Sequence, residues 1–346
     1  LCYKKLNMSK KNSSASLKNN FKIIKGFSKI YINFKRKLKP FKNQKFIVAL
    51  SGGPDSLALT ALSGAYKQEV KSKFFYVLIN HNIRKNSSNE ALKVKNLLKK
   101  NNIDLKIIKN TGKINKNIQK HARDVRYNLL TQYSLKKKIK IILTAHNLED
   151  QVETFFIRLS RGSGLKGLAA MKSLTDLKNN IKVLRPLLGI KKKELKKIAR
   201  TVYGTYIEDP SNKDLKFLRP RIRNLEKYLK KSGIEYDQII KSINNLASSR
   251  NTLEEYFNNI IKNEMKKKGF KVELDIERFK KFNDEIKIKI INESIRNLRK
   301  NYYDPRTRKV SNLIKIIEDR KFKRATLGGC IFFREKDKLC VKIEKK

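Results

Sequence analysis

Acidic residues are scarce in this 346-residue chain: 31 Asp and Glu face 84 Lys and Arg, a formal net charge of +53. Such a field disfavours cationic partners and favours polyanions, nucleic acid before anionic membrane surfaces. A chain so rich in Lys, Asn and Ile fits a codon bias towards A and T as one source of the lysines, and charge alone names no chemistry. Cysteine is nearly absent. Cys2, Cys330 and Cys340 form neither a CxxC nor a Cys/His zinc spacing, which excludes a disulfide framework and implies a reducing compartment. No apolar run approaches the roughly 18 residues of a membrane-spanning helix. The first twenty residues lack the apolar stretch of a secretory signal. Their Lys, Ser and Asn without any acid suit a basic tail or a transit-like segment, and Met8 is a candidate start.

What is present begins at residue 45. Apolar, β-branched runs at Lys45–Leu50, Phe74–Ile79, Leu105–Ile108 and Lys140–Ala145 alternate with segments of helical spacing. Those segments carry Leu57, Leu59 and Leu62, then Ala91, Val94 and Leu98, then Ala122, Val125 and Leu129, then Val152, Phe155 and Leu159. Ser87 and Glu90 have the spacing of a capping box. Alternation of this kind predicts an α/β fold, a parallel sheet with helices on both faces and ligands at the carboxyl ends of its strands. The alternation fades after about residue 225. Ile239, Ile243, Leu246, Leu253, Phe257 and Ile260 then predict one long amphipathic helix or two, and residues 325–333 with 339–343 predict a closing β-hairpin. At roughly 150 residues per domain, two domains fit the length.

The loop Ser51-Gly52-Gly53-Pro54-Asp55-Ser56 follows the first strand and opens a helix. Two glycines allow a tight turn with N–H groups aimed inward, the helix N-terminus adds its positive end, and both serines add hydroxyls. That is a phosphate cradle, but not a Walker loop, which needs GxxxxGK[ST]. Asp55 would repel phosphate unless Mg²⁺ lay between them, so it is a candidate metal ligand. Gly162-Ser-Gly164-Leu-Lys-Gly167 satisfies GxGxxG, yet a helical segment precedes it, so a dinucleotide site is not expected there. Of three histidines, His81 and His146 end strands, whereas His121 sits on a helix near Arg123 and Arg126. His146, Asp150 and Glu153 share one helical face, able to hold a metal or to bind and deprotonate an amine. Zinc is not expected without HExxH or cysteine partners.

The strand–SGGPDS–helix unit resembles the pyrophosphate loop of ATP pyrophosphatases. Further segments resemble the tRNA(Ile)-lysidine synthase family: Asn80-His81-Asn82-Ile83-Arg84, His121–Tyr127, Thr144–Thr154, Arg161–Gly164, and Glu208–Asn212 followed by Arg219, Arg221 and Arg223. One departure is Asn147-Leu148-Glu149-Asp150, where the family often shows a second His and paired Asp. Longer members carry an extra C-terminal domain, which this chain is too short to hold in full.

The resemblance implies an adenine-nucleotide α-hydrolase-like catalytic domain at 43–228. A basic extension at 1–42 and a mainly helical tRNA-binding domain at 229–346 flank it. It implies a C–N ligase that uses ATP with Mg²⁺ and free L-lysine. The lysine joins carbon 2 of the wobble cytidine in tRNA(Ile) bearing CAU, through an adenylated intermediate. Decoding then shifts from AUG to AUA and identity from Met to Ile. Residues 51–56 would hold ATP, with Asp55 near Mg²⁺. Asp55, His146, Asp150, Glu153 and Arg126 would be catalytic. His81, Arg84, Arg123, Arg161, Gly162, Arg219, Arg221 and Arg223 would meet substrate or tRNA. Lysine's ammonium would sit on Asp150 and Glu153. The implied compartment is a bacterial cytoplasm or an organelle matrix; association into a homodimer stays open. A tRNA thiolase is the nearest rival chemistry, but no cysteine lies between Cys2 and Cys330. NAD and GMP synthetases would leave the charge unexplained, and a non-catalytic RNA-binding protein would leave the cradle unexplained.

Overall fold

The computed structural model describes residues 26–83, 86–112, 118–208, 214–299 and 305–344. Six strands form the first sheet: β1 Lys45–Leu50, β2 Lys73–Asn80, β3 Leu105–Lys109, β4 Ile141–Leu143, β5 Leu174–Asp176 and β6 Lys182–Leu184. Their spatial order is β3-β2-β1-β4-β6-β5, all parallel except the β5–β6 pair. β1 pairs in register with β2 on one side and β4 on the other. The chain therefore reverses its order of laying down strands at β1/β4, and a crevice opens beyond their carboxyl ends. β5 and β6, three residues each, are too short to show a pattern in the sequence.

Alternation along β1 explains the layers. Phe46, Val48 and Leu50 join a core with α1 Ser28–Leu38, α2 Pro54–Glu69, α3 Ser87–Lys100 and, C-terminal to β6, the helix Lys192–Tyr203. Ile47 points the other way, toward Tyr127, Leu130 and Tyr133 of α4 Ile118–Lys136. Phe46, Ile47 and Val48 are fully buried, and each such side chain contributes about 1.5–3 kcal/mol. The remaining helices of this unit are α5 Leu148–Leu159, the short α6 Leu165–Leu168, α7 (the Lys192–Tyr203 helix) and α8 Leu218–Lys231. α9 Tyr236–Glu264 is a single long helix, which decides between the one helix and the two that its spacing allowed.

Three expectations change. Residues 28–38 of the supposed N-terminal tail are structural, because Tyr31, Phe34 and Leu38 of α1 sink into the main core. The two compact units divide after Ala247 rather than at 228, since Tyr236, Ile239 and Ile243 pack with Leu148 and Val152 of α5. Ser87 does not cap α3. The N-cap is Asn86, and the Ser87 hydroxyl is buried without a partner among the described residues.

The second unit, residues 248–346, holds more sheet than foreseen. β7 Lys266–Lys268, β8 Lys271–Asp275, β9 Arg324–Leu327, β10 Cys330–Glu335 and β11 Lys338–Ile343 form an antiparallel sheet ordered β7-β8-β11-β10-β9. The expected hairpin is β10–β11, and β8 closes on β11 from far upstream. Helices α10 Ile276–Lys281, α11 Asp284–Leu298 and α12 Thr307–Glu318 share a core with it through Phe279, Ile290, Ile291, Val310, Ile317 and Phe332.

Candidate active site

The glycine loop lies at the crevice. Gly52 adopts φ +84°, and a Cβ there would come within 2.5 Å of Val94 Cγ2, so only glycine fits. Its carbonyl accepts from Ile207 N–H at 3.1 Å. Gly53 is the N-cap of α2 and offers no side chain to it. The first-turn N–H groups thus stay available to an anion. Ser56 differs from expectation: its buried hydroxyl donates to Gly53 O at 2.9 Å and accepts from Ser51 N–H at 3.3 Å. It braces the loop, while Ser51 remains exposed.

Two more helix N-termini converge here. Asn147 caps α5 in a reciprocal box with Asp150: Asp150 N–H donates to Asn147 Oδ1 at 2.9 Å, and Asn147 N–H to Asp150 Oδ2 at 3.1 Å. Leu148 N–H donates to Ile190 O at 3.0 Å, and both Glu149 oxygens accept Lys192 N–H at the start of α7. Asp55, in the first turn of α2, faces this junction. Burial pushes its carboxyl up to about 6, against the opposing charge of Lys192; Asp150 raises it further, and a hydrogen bond from Asn147 lowers it. Asp55 Oδ1 is buried with no hydrogen-bond partner among the described residues. A desolvated oxygen with nothing donating to it is the kind of atom a hard cation takes, so the residues present fit Mg²⁺.

Arginines answer the other carboxylates. Glu153 is 2% exposed and forks to Arg223, with Nε at 2.5 Å and Nη2 at 3.3 Å. Arg219 stands 4.0 Å from Glu153 and 3.9 Å from Asp150. Burial still raises the Glu153 carboxyl. A guanidinium thus already answers Glu153, the carboxylate expected with Asp150 to meet lysine's ammonium. The expected group of Arg219, Arg221 and Arg223 divides between two faces of α8. Two of them lie four residues apart and turn inward, whereas Arg221 faces solvent.

Thr144 and His146 are joined through Oγ1 and Nδ1 at 3.0 Å. Burial holds His146 down to about 4; Asp150 opposes the shift, while Arg185, Arg123 and Arg219 add to it. His81 is held at about 4 by burial and by Arg126. Arg126 keeps exposed area, yet crowding by protein atoms and the charges of Arg123 and Arg219 lower its pKa. A guanidinium remains charged regardless. Arg123 lies over the Tyr127 ring at 5.0 Å. Arg161 and Gly162 lie on an exposed turn after α5, His121 is exposed, and Arg84 falls outside the described residues. Sequence reasoning missed Asn147, Lys192 and Arg185. Arg185, 6% exposed, bonds to Lys172 O and Thr175 Oγ1. Its place just after β6 was the signal that could have found it. A cavity of about 370 Å³ lined by Gln68, Phe74, Ile103, Asp104 and Tyr203 opens at the opposite, N-terminal edge of the sheet and takes no part in the site.

A parallel sheet switching order at β1/β4, with a glycine loop feeding a helix there, defines a PP-loop ATP-binding protein, and residues 27–229 match the PP-loop domain family. The chain belongs to the tRNA(Ile)-lysidine synthase family of ATP-using ligases. It is 33% identical to the tRNA(Ile)-lysidine synthase of Wolbachia pipientis wMel, over 84% of this chain and 68% of that protein. It is 38% identical to the one from Orientia tsutsugamushi (strain Boryong), over 57% and 46%. With the Rickettsia typhi (strain ATCC VR-144 / Wilmington) enzyme it shares 28% identity over 91% and 73%. The U34-tRNA thiolase NcsA from Methanococcus maripaludis, solved with its 4Fe-4S cluster, shares the fold. Its TM-score is 0.53 at 21% identity, over 64% of this chain and 78% of that one. Among the described residues no helix is long and apolar enough to cross a membrane.

Proposed function

We propose that this chain joins free lysine to carbon 2 of the wobble cytidine of tRNA(Ile) with a CAU anticodon, converting ATP to AMP and pyrophosphate. The carbonyl oxygen at carbon 2 attacks the α-phosphate, pyrophosphate leaves, and the amine of lysine then attacks carbon 2, loses a proton and displaces AMP. One observation carries the reading: a partnerless, desolvated Asp55 oxygen at the meeting of three helix N-termini, under a loop of the right family.

The loop N–H groups and helix ends hold phosphate oxygens by dipole and hydrogen bond. Asp55 would hold Mg²⁺, which supplies charge neutralisation of the phosphates when bound. Arg123 and Arg126 stand near enough to His146 and His81 to stabilise charge developing beside them. Asp150 is the carboxylate for lysine's ammonium: its Oδ1 meets only Arg219 among the described residues, at the outer limit of an ion pair. Glu153 serves the same end indirectly, by aligning Arg219 and Arg223. The chain's +53 charge would attract tRNA phosphates, giving affinity that falls with salt. Selection would come from the unpaired anticodon, where RNA sequence is read.

The test is labelled-lysine incorporation into tRNA(Ile) carrying CAU, against the same tRNA with uridine at the wobble position. Uridine also carries a carbonyl at carbon 2, so its rejection requires contacts to cytidine's exocyclic amine. Labelling of the cytidine tRNA alone is expected; equal labelling, or entry of sulfur instead of lysine, overturns the reading.

A further inference from the structure

Glu149 stands among the site's carboxylates, and both of its oxygens are already engaged. Both accept the backbone N–H of Lys192, at 3.0 and 2.9 Å, 43 residues further along the chain. That N–H belongs to the first turn of α7, whose own N-cap, Lys191, provides no side-chain cap. Glu149 therefore caps a helix other than its own. The adjacent bond from Leu148 N–H to Ile190 O ties the same two helix starts together. Lys192 itself stands half-buried on the turn so fixed, and its positive charge opposes the rise of the Asp55 carboxyl. A helix start left uncapped frays within its first turn, and a lysine on that turn loses its direction.

We propose that Glu149 is a positioning residue for the ATP step: it latches the start of α7 to the start of α5 and so holds the Lys192 ammonium toward the phosphates on the loop. The proposal rests on ATP binding at residues 51–56. It assigns Glu149 no contact with nucleotide or cation. Its carboxylate acts only through the Lys192 N–H.

The experiment uses the full chain with Glu149→Ala, Glu149→Gln and Lys192→Gln. Without substrates, hydrogen exchange at the Lys192 amide is followed first. Glu149→Ala should speed it about tenfold, the usual weight of one lost charged hydrogen bond, while Lys192→Gln leaves it unchanged. Pyrophosphate release with tRNA and lysine is then measured against ATP and against Mg²⁺. Glu149→Ala should raise KM for ATP about tenfold with kcat within about twofold. Glu149→Gln keeps an acceptor oxygen and should recover most of that loss. Lys192→Gln should match Glu149→Ala, and the two changes together should cost little more than either alone. The Mg²⁺ concentration for half-maximal rate should not move. Unchanged exchange in Glu149→Ala overturns the latch. A Gln variant as poor as Ala with a raised Mg²⁺ requirement makes Glu149 a cation ligand instead. Absence of pyrophosphate release by the unaltered protein would count against the ATP reading, and the exchange result still decides the latch.

Discussion

Two clusters of carboxylates in this molecule have opposite fates. On the second sheet, Glu273, Glu335 and the Cys340 thiol lie close enough to share a metal ion. Yet hydrogen bonds from Lys271, joined by Lys338 and Lys268, hold the Glu273 carboxyl below its ordinary range, and Lys271 does the same for Glu335. The cover over Glu273 is itself made of lysines, so its charge is already answered. At the β1/β4 crevice, Asp55 and Glu153 are pushed upward by burial, and Asp55 Oδ1 has no donor. Proximity of acids does not make a site. Desolvation beyond what neighbouring cations repay does, because it leaves an energetic demand that a ligand can meet.

The sharpest way to break that contrast is to remove one carboxylate from each cluster. Asp55→Ala should abolish pyrophosphate release, a loss of at least about a thousandfold or roughly 4 kcal/mol of barrier. It should move the urea midpoint little, since relief of the partnerless buried oxygen offsets loss of the hydrogen bond from Asn147. Glu273→Gln should change the rate less than about twofold. A slow Glu273→Gln or an active Asp55→Ala would invert the comparison.

A smaller effect is expected where the crevice does answer its own charge. Glu153→Gln leaves Arg223 facing a neutral group and should cost about 2 kcal/mol of stability. That is the low end for a buried pair, because Arg223 keeps 28% exposure. In a double-mutant cycle, Arg223→Gln should cost little once Glu153 is already Gln. Additive losses would show that the fork contributes nothing of its own. With the pair intact, lysine KM should depend on Asp150 far more than ATP KM does.

The smallest effect concerns protons. His81 and His146 are held at about 4 by burial, against an ordinary value near 6.5. Between pH 6.5 and 4 the unfolded chain takes up protons that the folded chain refuses, so stability falls as pH falls across that window. For His146, Asp150 favours the proton while Arg185, Arg123 and Arg219 oppose it; for His81, Arg126 opposes it. Replacing His81 by Gln should shrink the loss of stability between pH 7 and 4.5 by about 1 kcal/mol in urea titrations. An unchanged pH slope would mean that His81 is well solvated.

What the sequence determined on its own is what neighbours along the chain decide. β1, the glycine loop and α2 are consecutive, so the pattern of Phe46 to Leu62 states strand, turn and helix without outside help. The same holds for α5, whose i, i+3 spacing places Asp150 and Glu153 on one side, and for the helical spacing of α9, though not for its continuity. Asn147 was visible only as a departure from the family, although as an Asx residue before an apolar run it was a legible cap. The tertiary structure decided the rest. It bound Arg223 to Glu153 across 70 residues and Glu149 to Lys192 across 43, and it drew α1 into the core and β8 onto β11. Only it could separate the charged groups that are spent from those still available. A side chain's charge state depends on which distant groups desolvate it and which donate to it, and spacing along a chain carries no record of either.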